Sequence, residues 1–356
     1  MGVWRGVIEE YRSHLPVGPA TPVITLLEGA TPLLRGGDVA GGRTVWLKIE
    51  GSNPTGSFKD RGMTVAVSKA VEAGADGVIC ASTGNTAASA AAYAARAGLR
   101  CVLVIPADGV ALGKLVQAAA CGATIVPVLA GFDAALDLAR RAAEKLHLTL
   151  VNSVNPHRLA GQKTAAFEIV DVLGRAPEAL VLPVGNAGNI TAYWMGFTEY
   201  SVAGRAAARP RLIGIQAEGA APLVSGKPIA QPRTVASAIR IGRPATWDGA
   251  VRAVEESGGE FLTVSDDEIL DAQAALGRQG VFVEPASAAS WAGLEKLARE
   301  GRAPREAVCV LTGHGLKDPA IIERGLRLPP PVAPTLDAFT DAVREVAQQD
   351  ELRAGR

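Results

Sequence analysis

The chain has 356 residues, enough for about two domains of roughly 150 residues each. Apolar residues make up 48% of it, so it can bury a large core and is not intrinsically disordered. Its 36 lysines and arginines balance 36 aspartates and glutamates, and this zero net charge gives no reason to expect a nucleic acid or an anionic membrane as partner.

From residue 45 to about residue 200, short apolar segments alternate with amphipathic ones. The apolar segments predict buried strands at 45–50, 78–81, 101–105, 124–129, 148–152 and 180–184, and further strands at 211–217 and 308–312. The amphipathic segments predict helices near 58–73, 86–97, 111–120, 131–146, 158–173 and 189–202. This alternation is typical of βαβ units, so we expect an α/β protein with parallel sheets covered by helices.

The C-terminal part carries two local signals. Residues 265–268 (SDDE) match a capping box and predict a helix that ends at about 277. Prolines at 329, 330, 331 and 334 predict a stiff connector before a last helix at about 335–349. No linker marks a domain boundary, and we place boundaries near residues 52 and 150 from position alone.

The segment 50–63 (EGSNPTGSFKDRGM) carries the strongest chemical signal. A strand ends there, a turn with Asn53, Pro54 and Gly56 follows, and a helix begins with Lys59 in its first turn. The positive end of a helix disfavours a protonated ammonium, so the pKa of Lys59 should be lowered, as a Schiff-base nucleophile needs. A solvated lysine would fit the same pattern, but α/β sheets bind ligands at these strand ends.

Three more loops follow predicted strands and open helices or turns. Residues 80–87 (CASTGNTA) suit a carboxylate, although plain N-capping would look the same. In 183–189 (PVGNAGN), two glycines let backbone amides converge on a phosphate, although a tight turn is the alternative. In 311–318 (LTGHGLKD), Thr312 places a hydroxyl at a strand end, where it could also be a simple cap. Together with the lysine segment these make four loops at strand ends. One of them carries a lysine and another could bind a phosphate, which fits pyridoxal phosphate.

At these residues the chain resembles the threonine synthases, pyridoxal-phosphate enzymes whose fold is shared with tryptophan synthase β-subunits, cysteine synthases and threonine dehydratases. The likeness extends from 27–33 (LEGATPL) to 315–319 (GLKDP), and 53–62 (NPTGSFKDRG) is similar to the cofactor-lysine motif. Three further segments resemble bacterial threonine synthases of this size: 151–163 (VNSVNPHRLAGQK), 183–194 (PVGNAGNITAYW) and 283–289 (VEPASAA).

The resemblance implies a role for each loop. Lys59 would form the Schiff base with the cofactor and later move protons, Asn85 would bind the ring oxygen, and Thr312 would face the pyridine nitrogen. The cofactor phosphate would be held by Gly185, Asn186, Ala187, Gly188 and Asn189. The carboxylate side of the substrate would meet Ser82, Thr83 and Thr86, and its phosphate would meet Asn152, Ser153, Arg158 and Asn186.

The resemblance also implies a reaction and an architecture. O-phospho-L-homoserine and water would become L-threonine and phosphate by γ-elimination and β-addition of water. The expected fold is the two-domain fold of the tryptophan synthase β-like enzymes, with parallel-sheet domains and the cofactor in the cleft. Residues 1–51 and 150–356 would form the large domain, and residues 52–149 a small mobile domain with Lys59 and the 82–86 loop. A homodimer is expected.

Two other functions fit parts of the sequence. A threonine or serine dehydratase of the same fold would need no second anion pocket, so Asn152 and Arg158 argue against it. A cofactor-binding protein without activity would not need Lys59, Asn85 and Thr312 together with both anion loops.

The cysteines and histidines indicate a compartment and exclude a metal. No two of the four cysteines have CxxC spacing, and the four histidines are far apart, so no metal site is predicted. The cysteines fit buried apolar positions in a reducing compartment. The first residues lack a basic segment followed by an apolar core, so we expect no signal peptide or membrane span and a cytoplasmic protein.

Overall fold

The computed structural model describes residues 2–37, 42–107, 115–129, 131–326 and 328–354. The chain divides into two compact units, Met1–Asp318 and Pro319–Arg356. The first unit contains both sheets and every predicted site residue. The domain boundaries predicted near 52 and 150 fall inside this unit and stay a prediction.

The described residues form strands and helices that alternate through most of the chain. The strands are β1 Leu33–Arg35, β2 Thr44–Ile49, β3 Gly77–Ala81, β4 Arg100–Pro106, β5 Thr124–Val128, β6 Leu148–Leu150, β7 Ala179–Pro183, β8 Arg211–Ala217, β9 Glu260–Val264 and β10 Glu306–Leu311. The helices are α1 Val7–Glu10, α2 Lys59–Glu72, α3 Asn85–Ala97, α4 Val116–Ala120, α5 Phe132–Lys145, α6 Pro156–Gln162, α7 Thr164–Leu173, α8 Gly188–Val202, α9 Pro222–Ser225, α10 Trp247–Glu256, α11 Asp266–Arg278, α12 Pro285–Arg299, α13 Ala320–Gly325 and α14 Leu336–Ala354. Short 3₁₀ helices lie at Arg12–His14, Glu50–Ser52, Glu218–Ala220, Ser237–Ile239 and Gly315–Lys317.

The strands build two sheets. One has six strands in the order β1-β2-β10-β7-β8-β9, and the other has four in the order β5-β4-β3-β6. Every neighbouring pair is parallel except β1 and β2. The predicted α/β architecture with parallel sheets is confirmed.

Each sheet is buried on both faces by alternate residues of the same strand. In β7, Leu180 and Leu182 pack into one apolar core, whereas Val181 packs into the core on the opposite face. In β3, Val78 and Cys80 face one core and Ile79 faces another. Burial on both faces explains why these strands are short uninterrupted apolar runs.

The structure differs from the predicted elements in two respects. The helix predicted at 158–173 is two helices, α6 and α7, and at the break between them the Thr164 hydroxyl donates to the Gly161 carbonyl (2.7 Å) and so competes with the backbone bond of a continuous helix. Four elements of five or more residues were not predicted: β9, α10, α12 and α13. The shorter α1, α9 and β1 were not predicted either. Part of the helix predicted at 111–120 lies outside the described residues, and α4 covers its end.

Within the described residues, no helix is both long and apolar enough to cross a bilayer.

Candidate active site

Two neighbouring strands of the six-stranded sheet, β2 and β10, bring the lysine turn and the Thr312 loop together. β2 and β10 pair in parallel with Leu311 opposite Ile49, so both chains leave the sheet at the same edge. Past that edge, the Phe58 amide donates to the Thr312 carbonyl (3.0 Å) and the His314 amide donates to the Gly56 carbonyl (2.9 Å). The lysine turn and the Thr312 loop, which are far apart in sequence, therefore form one side of the candidate site.

Asp60 organises the turn that precedes the lysine helix. Its carboxylate accepts hydrogen bonds from the Thr55 amide (2.7 Å), the Thr55 hydroxyl (2.6 Å) and the Ser89 hydroxyl (2.6 Å). Gly56 has a φ of 83°, a left-handed conformation that favours glycine. Burial raises the pKa of Asp60 to about 6, against the opposing effect of these hydrogen bonds. The turn and α3 thus fix the start of α2.

Lys59 is the first residue of α2, and its side chain is partly buried. Burial, the larger cause, and the positive charge of Arg158 together lower the pKa of Lys59 from 10.5 to about 7. The carboxylate of Glu284 acts in the opposite direction. A lowered pKa was predicted from the helix terminus, and the structure adds burial and the charge of Arg158 as causes. Near neutral pH, much of this amine is unprotonated and nucleophilic.

A buried ion network anchors α2 two residues after Lys59. Arg61 donates to both carboxylate oxygens of Glu50 (2.6 and 2.8 Å) and to both of Glu168 (2.6 and 2.7 Å). Lys48, in β2, donates to Glu168 as well (2.7 Å). The two cations lower the pKa of Glu168 to about 2 despite its burial. The network ties the lysine helix to β2 and α7.

The Asn85 and Thr312 side chains are both held by the start of α12. The Asn85 amide nitrogen donates to Glu284 Oε1 (2.9 Å) and Oε2 (3.2 Å), and Glu284 is the N-cap of α12. The Thr312 hydroxyl lies 3.0 Å from the Ser287 hydroxyl, one turn into the same helix. No role was predicted for either α12 residue, because the 283–289 segment served only as part of the family resemblance.

The 185–189 loop joins β7 to α8 in a strained conformation. Ala187 is the N-cap of α8 and has a φ of 65°, which is uncommon for a residue with a side chain. No side chain caps the helix, so its first N–H groups are available to an anion. The Asn189 amide nitrogen is buried without a hydrogen-bond partner among the described residues. Asn186 lines a cavity of about 960 Å³.

Arg158 has an unusual environment for an arginine. It is completely buried, and only one of its nitrogens, Nη1, has a partner, the Val151 carbonyl (2.7 Å). Its Nε and Nη2 are buried without partners among the described residues. Burial lowers its pKa to about 10. A guanidinium with unused donors suits an anionic ligand.

The other residues expected at the substrate lie on two connected loops. Asn152 exchanges two hydrogen bonds with the backbone of Ala81 (both 2.9 Å), so its amide ties the end of β3 to the loop after β6. The Gly84 amide donates to the Ser82 hydroxyl (3.2 Å). Thr83, Thr86 and Ser153 are partly exposed on these loops.

Two glycines let α2 and α6 cross in direct backbone contact beside this site. A Cβ at Gly62 would lie 2.6 Å from the Arg158 carbonyl oxygen, and one at Gly161 would overlap the Arg61 carbonyl oxygen. The close crossing brings the helix of Arg158 against the helix that begins with Lys59.

A second cavity, of about 600 Å³ and lined by Tyr11 and Tyr200 among others, contains none of the predicted site residues.

These residues fit pyridoxal phosphate. They supply a lysine of lowered pKa, an uncapped helix start with an unpartnered amide for the phosphate, and amide and hydroxyl groups for the ring. In the part of the chain that the structure describes, no group of three or more histidine, cysteine, aspartate or glutamate side chains could hold a metal ion.

Comparison with known proteins gives consistent matches. The family model for pyridoxal-phosphate dependent enzymes matches residues 24–313. A threonine synthase of Synechocystis is 56% identical over 347 residues, covering 96% of this chain and 91% of that protein. A threonine synthase of Mycobacterium tuberculosis is 56% identical over 337 residues, covering 93% of each chain. A structure of threonine deaminase isoform 2 from Solanum lycopersicum superposes with a TM-score of 0.73 at 22% identity, covering 89% of this chain and 86% of that one.

Proposed function

The chain belongs to the pyridoxal-phosphate dependent enzymes and, among them, to the threonine synthases, and we propose how the site described above performs that reaction. The enzyme is a lyase of threonine biosynthesis with pyridoxal 5′-phosphate as its cofactor. It converts O-phospho-L-homoserine and water to L-threonine and phosphate.

One observation favours a phosphorylated substrate: the buried Arg158 guanidinium has two nitrogens without partners and lies close enough to Lys59 to lower its pKa. The cofactor's phosphate is assigned to Gly185, Asn186, Ala187, Gly188 and Asn189, on a different loop. A second anion site beside the reacting amine is what a substrate with its own phosphate requires.

We assign the remaining roles as follows. Lys59 holds the cofactor, Asn85 binds its ring oxygen, and Thr312 binds its ring nitrogen. Ser82, Thr83 and Thr86 bind the substrate carboxylate, and Asn152, Ser153, Arg158 and Asn186 bind the substrate phosphate. These assignments rest on the family motifs. The amide nitrogens of Asn85 and Asn152 already donate to Glu284 and to Ala81, so each would bind its ligand through its second N–H.

When bound, the cofactor withdraws electrons from the attached amino acid and acidifies its C–H bonds. With a pKa near 7, the Lys59 amine can accept a proton and also return one at neutral pH, as a reaction that moves protons at successive carbons needs. Arg158 holds the phosphate and stabilises the negative charge that grows on it as the Cγ–O bond breaks.

A dehydratase is the second candidate, since the fold is shared with the tomato threonine deaminase. At 22% identity that likeness shows the fold alone. A dehydratase has no substrate phosphate to neutralise, so it would leave the buried Arg158 donors unused.

Incubating the cofactor-loaded enzyme with phosphohomoserine, and separately with threonine, tests the proposal. Threonine and phosphate should form in equal amounts in the first reaction, with little 2-ketobutyrate in the second. Fast 2-ketobutyrate release from threonine without phosphate release would identify a dehydratase, and neither product would identify an inactive binding protein. Lys59→Ala is the control for turnover at this site.

We propose that the small domain comprises residues 52–149 and the large domain residues 1–51 and 150–356. The arrangement of strands supports this division, because β3 to β6 form their own sheet while β1, β2 and β7 to β10 form the other. Faster amide hydrogen exchange in 52–149 than in the six-stranded sheet, slowed by substrate, would support a mobile small domain.

We also propose a cytoplasmic homodimer without nucleic-acid or membrane partners. All four cysteines are free thiols, which suits a reducing compartment. Light scattering should give twice the mass of one chain.

A further inference from the structure

The Ser287 hydroxyl is surrounded by three hydrogen-bonding groups. It accepts a hydrogen bond from the Gly313 amide (2.7 Å), lies 3.0 Å from the Gly313 carbonyl oxygen, and lies 3.0 Å from the Thr312 hydroxyl. Ser287 is completely buried, and Thr312 is nearly so. Water therefore does not compete for these bonds, and the positions of the two hydroxyl protons depend on the protein alone.

Each of the two hydroxyls has one proton, and the two protons can be placed in two ways that give a hydrogen bond between Ser287 and Thr312. In the first, Ser287 donates to the Gly313 carbonyl and Thr312 donates to Ser287, which leaves Thr312 with lone pairs only. In the second, Ser287 donates to Thr312, and the Thr312 proton is free to point away from α12. Only in the second arrangement can Thr312 donate to another group.

Two observations favour the second arrangement. The Gly313 carbonyl already accepts a hydrogen bond from the Glu284 amide (3.1 Å), so it does not depend on the Ser287 proton. The first arrangement would require a protonated ring nitrogen as donor, yet Thr312 is neutral and gives a pyridinium no opposite charge.

We propose that Ser287 is a positioning residue: it donates its proton to Thr312 and thereby directs the Thr312 proton to the unprotonated ring nitrogen of the cofactor. This inference rests on the proposed function, which places Thr312 at that nitrogen. Ser287 itself touches no substrate or cofactor and acts through Thr312.

The test compares Ser287→Ala with Ser290→Ala in the cofactor-loaded enzyme. Ser290 is a matched control, because it lies on the same helix and is equally buried. Its single proton is shared between the Ser287 carbonyl (2.9 Å) and the Val310 carbonyl (3.2 Å), and it has no bond to Thr312 among the described contacts. The readouts are the ¹⁵N resonance of cofactor labelled at its ring nitrogen and the dissociation constant of the cofactor. Ser287→Ala should move the resonance towards that of Thr312→Val, and weaken cofactor binding roughly two- to tenfold.

Combining Ser287→Ala with Thr312→Val separates positioning from general stability. If Ser287 acts through Thr312, adding Ser287→Ala to Thr312→Val should change neither the ¹⁵N resonance nor the dissociation constant of the cofactor. A protonated ring nitrogen in the wild-type enzyme, an unchanged resonance in Ser287→Ala, or an equal effect of Ser290→Ala would overturn the inference. If Ser287→Ala does not fold, Ser287→Cys, which keeps a weaker donor, should give an intermediate resonance shift, and an unchanged one would overturn the inference. Wild-type turnover of phosphohomoserine is measured alongside, because its absence would overturn the proposed function instead.

Discussion

Arg61 and Arg158 are both completely buried, but their surroundings are opposite. Arg61 has two carboxylate partners, Glu50 and Glu168, and contributes to stability as part of a network. Arg158 has a single carbonyl partner, and two of its nitrogens have none among the described residues. A buried charge without a full set of partners is costly in the ligand-free protein, which supports the proposed role of Arg158 in binding rather than in folding.

Replacing each arginine by methionine should separate these roles. Arg158→Met should lower kcat/KM for phosphohomoserine roughly 10- to 150-fold, because a hydrogen bond to a charged group is lost. It should not lower the unfolding free energy of the ligand-free protein, and cofactor affinity should hardly change. Arg61→Met should lower that free energy by about 3–5 kcal/mol, since it leaves buried carboxylates uncompensated. Steady-state kinetics give kcat/KM, and denaturant unfolding gives the free energy of unfolding. An Arg158→Met protein that loses stability but not activity would contradict the assignment of Arg158 to the substrate phosphate.

The lowered pKa of Lys59 predicts how cofactor capture depends on pH. Only the neutral amine is nucleophilic, so the rate at which the cofactor-free enzyme attaches pyridoxal phosphate to Lys59 should rise with pH, with a midpoint near 7. Borohydride quenching and mass spectrometry of the Lys59 peptide give this rate. In Arg158→Met the midpoint should move to higher pH, because a positive charge that opposes protonation has been removed. A wild-type midpoint near 10 would show that Lys59 is an ordinary surface lysine.

The residues with their own chemistry could be recognised in the sequence, whereas their partners could not. Thr312 ends a predicted strand, Asn85 follows one by four residues, and Lys59 comes after the turn that follows another. Glu284 contacts Asn85 across 199 positions of sequence, and only the folded chain brings them together. The contribution of Arg158 to the low Lys59 pKa was missed for the same reason, since Arg158 belongs to another helix.

Among the helices, the crossing of α2 and α6 is the tightest constraint on the site. Gly161→Ala should force these helices apart, lower the unfolding free energy by about 1–3 kcal/mol and reduce kcat/KM, since Lys59 and Arg158 lie on the two helices. Gly277→Ala is the matched control, because Gly277 lies within α11 and an added Cβ would meet no atom within 4 Å. It should leave activity intact and stabilise the protein by about 0.5–1 kcal/mol. Equal effects of the two substitutions on activity would show that the crossing does not position the site.

The strands were easier to predict than some of the helices. β3 and β7 begin and end within one residue of the predicted bounds, because burial on both faces produces short apolar runs between turns. α12 was missed, although it has 15 residues. Eleven of them are buried, and its charged residues, Glu295, Lys296 and Arg299, all lie near its end, so the periodic pattern of an amphipathic segment does not run along the helix.

For the whole molecule, the parallel architecture could be predicted from the alternation of segments, but the order of strands in the sheet could not. β10, the last strand that the structure describes, lies between β2 and β7 rather than at an edge. The apolar sequence of β10 indicates a buried strand, but nothing in it specifies β2 and β7 as its neighbours.

The central position of β10 predicts the order of events in refolding. The Thr312 loop can pack against the lysine turn only after β10 has paired with β2 and β7. Binding of the cofactor should therefore occur after most of the secondary structure has formed. Dilution from denaturant with pyridoxal phosphate present, monitored by circular dichroism and by the visible absorbance of the bound cofactor, measures both. Simultaneous development of the two signals would contradict this order.

The same strand order governs when a newly made chain can become an enzyme. The ribosome completes Lys59 early, but about 250 more residues must be added before Thr312 exists, which takes roughly 10–50 s at typical bacterial elongation rates. From the synthesis of β7 until the synthesis of β10, β2 and β7 lack the strand that finally lies between them, and their unpaired backbone groups are open to other chains. A chain therefore cannot form this site before its residue 312 has been made, and until then it is inactive and exposes strand edges on which other chains can pair.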